Sequence, residues 1–395
     1  MKYIRNCVAY IQMLPSSLIG HEMTTETINI IKSTRRTDLD WLRVLAVLLL
    51  VPFHSALIFI PDPQVVMYVK EGINSLFLNR FAGWIHQFHM PLLFYVSGAA
   101  TYFSLKKRKS GQYIKERFVK LLIPAISGLV IIIPLITYIA LIAKGNSLNY
   151  WQHFINFWQF GNTDLTGMDG KFTPAHLWFL LFLFAFSLIG LLFFSMLKKD
   201  KSIGLFKRII DKTGIPVFIL VLFYLLTAAS NLNILGDKNP VYYFLIFFCG
   251  YLFMMDDRFQ HIIDKYVWLF LVTGISCEII RQFSYSFISN GTVVLILSNL
   301  NRWMWLLCIL GFGHRSLRAN NSVLKYLSSA SYPFYIFHLL LNTIVGFFII
   351  KLPFGAGIKY SIIVVLTILS TFLVYEFVKR IPIIRFLFGI KNVKP

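Results

Sequence analysis

Ten apolar stretches along a chain of 395 residues restrict this sequence to a helical membrane protein. Crossing hydrocarbon takes about 20 residues of helix. The stretches run roughly Trp41–Ile60, Phe81–Phe103, Phe118–Ala143, Pro174–Leu197, Ile215–Ala229, Val241–Met255, Tyr266–Ile280, Thr292–Phe312, Tyr332–Ile350 and Tyr360–Val378. The fifth to seventh are shorter and border on asparagines and acidic residues. Continuous apolar runs suit helices, which satisfy their own backbone, and not barrel strands, which alternate apolar and polar residues. Composition agrees, with 57% hydrophobic and only 14% charged residues, where an ordinary soluble domain carries about 25% charged. The predicted fold is therefore an all-α integral membrane bundle of about ten transmembrane helices. The first forty residues are polar or weakly apolar, and the run from Met13 to Ile19 is too short and interrupted for a secretory signal. No repeat and no Gly/Ser-rich linker marks a second domain. The expected division is a cytoplasmic segment over 1–38, a membrane domain over 39–389 and a short cytoplasmic tail over 390–395.

Orientation follows from the basic residues. With the N-terminus inside, 28 of the 38 Lys and Arg residues fall on the cytoplasmic side and nine on the other, with Arg43 inside the first span. That bias favours ten spans with both termini in the cytoplasm, in a multi-pass protein of the cell (inner) membrane. The net charge of +21 is then a matter of orientation and of anionic lipid, and nucleic acid is not needed to explain it.

Ionisable groups inside such spans are the candidates for function. Arg43 lies one turn inside the first span and His54 eleven residues on, roughly 16 Å along the helix and on nearly the same face. The alternative is an arginine reaching back to the interface and a histidine bonded to a neighbouring helix. His86 and His89 stand three apart, which is metal-binding spacing, but no third ligand is in view and no metal is expected. His176 opens the fourth span with Trp178 beside it, either an aromatic belt or a platform for a sugar ring. His338 lies toward the inner part of the ninth span and Glu376 near the inner end of the tenth, where an isolated Glu376 wants Arg43 or His338 as partner. Ser97-Gly98 is small enough to let two helices approach closely. Cys249, Cys277 and Cys308 fall in apolar segments and form no disulfide or metal pattern.

Several of these residues stand in recognisable motifs. Leu39-Asp40 with Arg43-x10-His54, then His89-Met90-Pro91-Leu92-Leu93-Phe94 and Val96-Ser97-Gly98, resemble the first two spans of the membrane acyltransferase type 3 family. The likeness continues in Arg117-Phe118-Val119-Lys120-Leu121-Leu122-Ile123-Pro124 and His176-Leu177-Trp178-Phe179-Leu180. It ends in Ser331-Tyr332-Pro333-Phe334-Tyr335-Ile336-Phe337-His338, Tyr375-Glu376 and Arg380-Ile381-Pro382. These run in the family's order from about Leu39 to Gly389. Within the family the chain looks most like the branch that succinylates periplasmic glucans. One departure is that the family's pair of arginines after the second span reads Arg117 and Lys120 here. A lysine still attracts phosphate but lacks the bidentate fork.

The resemblance implies transfer of an acyl group from cytoplasmic acyl-CoA, succinyl-CoA or acetyl-CoA, to a hydroxyl of an extracytoplasmic glycan or glycolipid. His54, toward the outer half of its span, is then the general base, and Arg43 an electrostatic or CoA-positioning group. Arg117, Lys120 and His338 become donor-binding candidates, and His176, Trp178, His89 and Glu376 acceptor-binding ones. A succinyl carboxylate would want a cation nearby, for which Arg43, Arg302 and Arg281 all qualify. A multi-span transporter or flippase of a sugar or lipid-linked sugar is the alternative, although broken helices in matching halves are not evident.

Overall fold

The structure is a computed structural model that describes residues 36–60, 69–72, 74–159, 171–197, 200–232, 234–235, 238–283, 288 and 290–390. The chain divides into residues 1–37 and a unit from Asp38 to Pro395; the elements below belong to the larger unit. About 83% of the described residues are helical, and they contain no strand.

Each of the ten predicted stretches is helical. The first is broken into α1 (Thr37–Leu48) and α2 (Leu50–Leu57). Pro52 causes the break, because it has no N–H to offer the Leu48 carbonyl one turn back. A 32-residue α3 (Leu76–Lys107) follows, then α4 (Ser110–Arg117), a π-helical turn over Phe118–Leu122 and α5 (Ile123–Ala143). A short α6 (Tyr150–Phe157) precedes a 3₁₀ turn at Ala175–Leu177, which leads into α7 (Trp178–Leu197). Next come α8 (Asp200–Thr213), α9 (Ile215–Ser230), α10 (Pro240–Phe253), α11 (Arg258–Lys265) and α12 (Val267–Phe283). The chain closes with α13 (Gly291–Ser316), α14 (Ser322–Ile349), α15 (Ala356–Val378) and α16 (Pro382–Leu387).

Six helices among the described residues are long and apolar enough to cross a membrane, and a seventh joins them if α8 and α9 count as one. That pair bends by 103° at Gly214, whose φ of +78° is a left-handed value that only glycine adopts without cost. The other predicted spans depart for physical reasons. The first half of α3 carries Asn79, Arg80, His86, Gln87 and His89, α10 has 14 residues, and α12 has 17 with Glu278 inside it. Gln87, His89 and Glu278 are buried against protein. Glu278 accepts bonds from Arg281 at 2.6 Å and from Asn301 at 2.7 Å, which compensates a charge that would be costly alone.

Contacts sort the loops onto two faces. On one, Lys359 at the start of α15 pairs with Glu71 at 3.1 Å and bonds the Ile350 carbonyl, while Asn239 caps α10 and bonds Ala229. His54, Gln87 and His176 lie toward this face. On the other, Trp41 bonds the Ala319 carbonyl, His314 meets Asp264, and Arg258 bridges Asp211 and Asp256. The hydrogen-bonded Arg258 guanidinium holds the Asp256 carboxyl below the usual carboxylate range. Among the described glycines, the closest approach to another backbone is between α3 and α10. A Cβ added at Gly98 would sit 1.9 Å from the Phe247 carbonyl oxygen, and one at Gly250 would sit 2.0 Å from that of Tyr95. Backbone meets backbone there, so the small residue at Gly98 has a reciprocal partner that sequence did not reveal.

Candidate active site

Four histidines from four separate segments gather toward the loop face that holds Glu71 and Lys359. His54 comes from α2, His89 from α3, His176 from the 3₁₀ turn and His338 from α14. The His54 and His338 rings are 5.2 Å apart, as are those of His176 and His338. Phe53 connects the group to α3, lying 4.7 Å from the His89 ring and 5.0 Å from that of His54. All four histidines are buried, and His338 is fully so.

Carbonyl partners assign the tautomers. His338 Nδ1 is 2.7 Å from the Tyr335 carbonyl, so that nitrogen carries the hydrogen and Nε2 holds the lone pair. Nε2 has no hydrogen-bond partner among the described residues. His176 is reversed. Its Nε2 donates to the Ile336 carbonyl at 3.0 Å, leaving Nδ1 as an open acceptor. His89 donates from Nδ1 to the Ile85 carbonyl at 3.0 Å. Two buried imidazoles thus present basic nitrogens that the protein leaves unused, an arrangement suited to accepting a proton.

The scaffold fixes these rings from both sides. Tyr335 donates its hydroxyl to the His176 carbonyl, which ties α14 to the 3₁₀ turn. Ala175, just ahead of His176, has φ +43°, a left-handed value uncommon for a residue with a Cβ. Thr173 Oγ1 accepts from its backbone nitrogen at 3.1 Å and helps hold that conformation. Asn342, one turn beyond His338, donates to Ser55 Oγ at 2.7 Å and so registers α14 against α2 beside His54.

The basic residues lie elsewhere. Arg117 ends α4, with its guanidinium 4.7 Å over the Tyr113 ring and 3.5 Å from Thr101 Oγ1. Lys120 sits in the π-helical turn, 3.7 Å from Glu116, which also meets Arg108 at 3.2 Å. Pro124 cannot donate to the Lys120 carbonyl four residues back, and the Tyr332 hydroxyl donates to it instead. Partly exposed arginine and lysine around one carboxylate form a patch able to meet phosphate. Arg43 pairs with Asp40 at 3.3 Å, is 39% exposed, and lies midway along α1, eleven residues short of His54.

Two predicted site residues are placed differently from expectation. His338 joins His54 instead of Arg117 and Lys120, because the six residues from Tyr332 carry α14 about 9 Å farther from Lys120. Glu376 is far from His176 and Trp178. It accepts from the Tyr326 hydroxyl at 3.0 Å and from Lys379 at 2.6 Å, so its partners are neither Arg43 nor His338. Trp178 packs on Tyr243, 5.3 Å between ring centres, and on Phe94. Arg281 is engaged with Glu278. No group of three or more His, Cys, Asp or Glu side chains placed to hold a metal ion occurs among the described residues. Sequence reading missed Tyr335, Asn342 and Ser55. The only signal was a polar atom inside an apolar run.

Residues 36–376 match the acyltransferase domain of the type 3 family. The chain belongs to this acyltransferase family. It is 24% identical over 402 aligned residues to the glucans biosynthesis protein C of Escherichia coli strain K12, with 92% of this chain and 97% of that protein covered. The proteins of the same name from the O139:H28 and O157:H7 strains are equally similar, 24% identical over 391 and 397 residues. No solved structure matches the chain. Family membership and the apolar helices make this a membrane acyltransferase, and they favour acyl transfer over the transport alternative. The acyltransferase match spans every element that carries the four histidines and the Arg117–Lys120 patch.

Proposed function

We propose that this acyltransferase moves an acetyl or succinyl group from cytoplasmic acyl-CoA to a glycan hydroxyl on the far side of the inner membrane, with His54 as general base. The observation that carries the reading is the pairing of His54 with His338, whose Nε2 is buried and open. His54 takes the proton of the acceptor hydroxyl as its oxygen bonds to the thioester carbon. The carbon–sulfur bond breaks, and the proton passes to the departing thiolate. His338 stands beside His54 to steady the cationic ring that forms between those steps. Arg117, Lys120 and Arg108 bind the phosphates of CoA at the opposite face, and Arg43 steers the thioester inward. The names of the relatives favour a glucan as acceptor. In this reading both termini are cytoplasmic, ten helices span the membrane, and lipid surrounds them.

The reading is tested with purified protein in vesicles given labelled acetyl-CoA or succinyl-CoA and a glucose oligomer. Release of free CoA coupled to an added acyl mass on the oligomer is expected. Unchanged acyl-CoA with both donors would refute it. Charge reversal at Arg117 and Lys120 should raise the apparent KM for the donor by roughly tenfold or more, since hydrogen bonds to charged groups contribute about 1.5–3 kcal/mol each. An unchanged donor KM in inserted, folded protein would mean that these residues serve only to orient the chain.

A further inference from the structure

A cavity of about 320 Å³ lies beside the histidines and none of them needs it. Its walls come from α3, α9, α10 and α13, and His86, Gln87, Ser230, Tyr242, Asn299 and Arg302 supply its polar lining. The volume sits at the lower end of the ~300–1,000 Å³ range of small-molecule sites. It adjoins the proposed catalytic group at two places. The His86 ring is 5.6 Å from that of His89 and 6.0 Å from Phe53, the neighbour of His54. Tyr243, also in the wall, packs on Trp178, two residues from His176.

The chemistry of the lining is one-sided. Gln87 donates its amide nitrogen to the Gly83 carbonyl at 3.1 Å, which fixes the amide and leaves Oε1 without a partner. Asn299 donates to the Leu295 carbonyl and to Ser230 Oγ, both at 2.8 Å, which leaves Oδ1 in the same state. These side chains are only 6% and 3% exposed. Both open atoms are acceptors, so they ask for hydroxyl or amine donors. Arg302 adds a fork of donors, 5.9 Å from the Tyr242 ring and hydrogen-bonded to the Tyr242 hydroxyl, with no ion pair among the described residues. A lipid tail would leave both carbonyls dry and the remaining guanidinium donors unmatched. A polyhydroxylated ring satisfies both, because each hydroxyl donates to an amide oxygen and accepts from the guanidinium, while an aromatic edge covers its carbon face.

We propose that this cavity seats one neutral hexose unit of the acceptor, with Gln87 and Asn299 accepting from its hydroxyls and Arg302 donating to its oxygens. The seat rests on the acyl-transfer reading and deepens it by locating the acceptor. It sets a hydroxyl next to the His89–Phe53 wall, on the His54 side.

Steady-state kinetics on the full chain with a glucose oligomer as acceptor tests the seat. Gln87→Met and Asn299→Leu should each raise the acceptor KM by roughly threefold to tenfold, and Arg302→Gln by roughly tenfold to a hundredfold, with donor KM within twofold of wild type. Arg302→Lys keeps the charge, loses the fork and should fall between. Melting temperatures accompany every variant. Should Asn299→Leu fail to fold, Gln87→Met gives the same reading, since its amide bonds only its own helix. A wild-type protein that transfers to the oligomer while these variants keep its acceptor KM overturns the seat alone, and so does one that releases CoA without acylating the oligomer. A wild-type protein that releases no CoA overturns the acyl-transfer reading beneath it.

Discussion

His54→Ala is expected to lower kcat by about 10²- to 10⁴-fold, the usual range for loss of a general base. Donor affinity should be nearly intact, because in the proposed mechanism the imidazole takes the hydroxyl proton while Arg117 and Lys120 hold the CoA phosphates. His338→Ala should fall in the same direction, since a neighbour that steadies the cationic ring lowers the same barrier. Groups that act together lose their effect together, so the double variant should be little worse than the poorer single one. The measurement is kcat and donor KM on purified protein, with melting temperature beside them, because Asn342 and Ser55 register the helices at this point. A packing role for His54 gives a different pattern, less folded protein with normal turnover per folded molecule. A well-folded His54→Ala that acylates its acceptor near the wild-type rate would remove His54 from the mechanism.

Gly98→Ala and Gly250→Ala are expected to abolish or nearly abolish the folded protein. The added methyl has a carbonyl oxygen at 1.9 or 2.0 Å and no flexible side chain to push aside, so one backbone must move by more than an ångström. Overpacking of ordinary cores costs about 1–3 kcal/mol, and a backbone obstacle belongs at or above the top of that range. Gly111 and Gly204 serve as controls. They stand in helices with nothing within 4 Å of an added Cβ, and alanine there should stabilise by about 0.5–1 kcal/mol through helix propensity. Detergent-resistant yield and melting temperature read both sets. Normal melting of Gly98→Ala would show that α3 and α10 are farther apart than described.

The contrast between what sequence showed and what it hid has a simple physical basis. Helices announce themselves through unbroken apolar runs, so α5, α7 and α15 were legible to within a few residues of their ends, whereas α14 starts at Ser322, well before the predicted Tyr332, because its first turns are mostly polar. α3 was predicted over Phe81–Phe103 and runs from Leu76 to Lys107, but its first half buries histidine and glutamine against other helices, so it is not among the helices apolar enough to cross a membrane. His54 and Arg43 were legible because a charge in hydrocarbon needs a reason. The depth of His338 was not, since it depends on how α14 is registered against α2 through Asn342 and Ser55, a matter of tertiary contact. Glu376 was misplaced for the same cause, as its partners Tyr326 and Lys379 are ordinary residues at helix ends. The cavity was invisible because Gln87, Tyr242 and Asn299 come from distant parts of the chain and share no local spacing.

The glycine contact between α3 and α10 also has a geometric consequence. Gln87 lies eleven residues before Gly98 and Tyr242 eight before Gly250, so the two walls stand roughly 16 Å and 12 Å from the pinch. Two rods that touch at one point spread apart on either side of it, and the gap between them grows with distance from the fulcrum. A few degrees of rotation about Gly98 and Gly250 therefore change the span between Gln87 and Tyr242 by about an ångström. In the proposed seat, the angle at which the helices cross would then gauge the size of ring that the opening admits, although neither glycine lines the cavity.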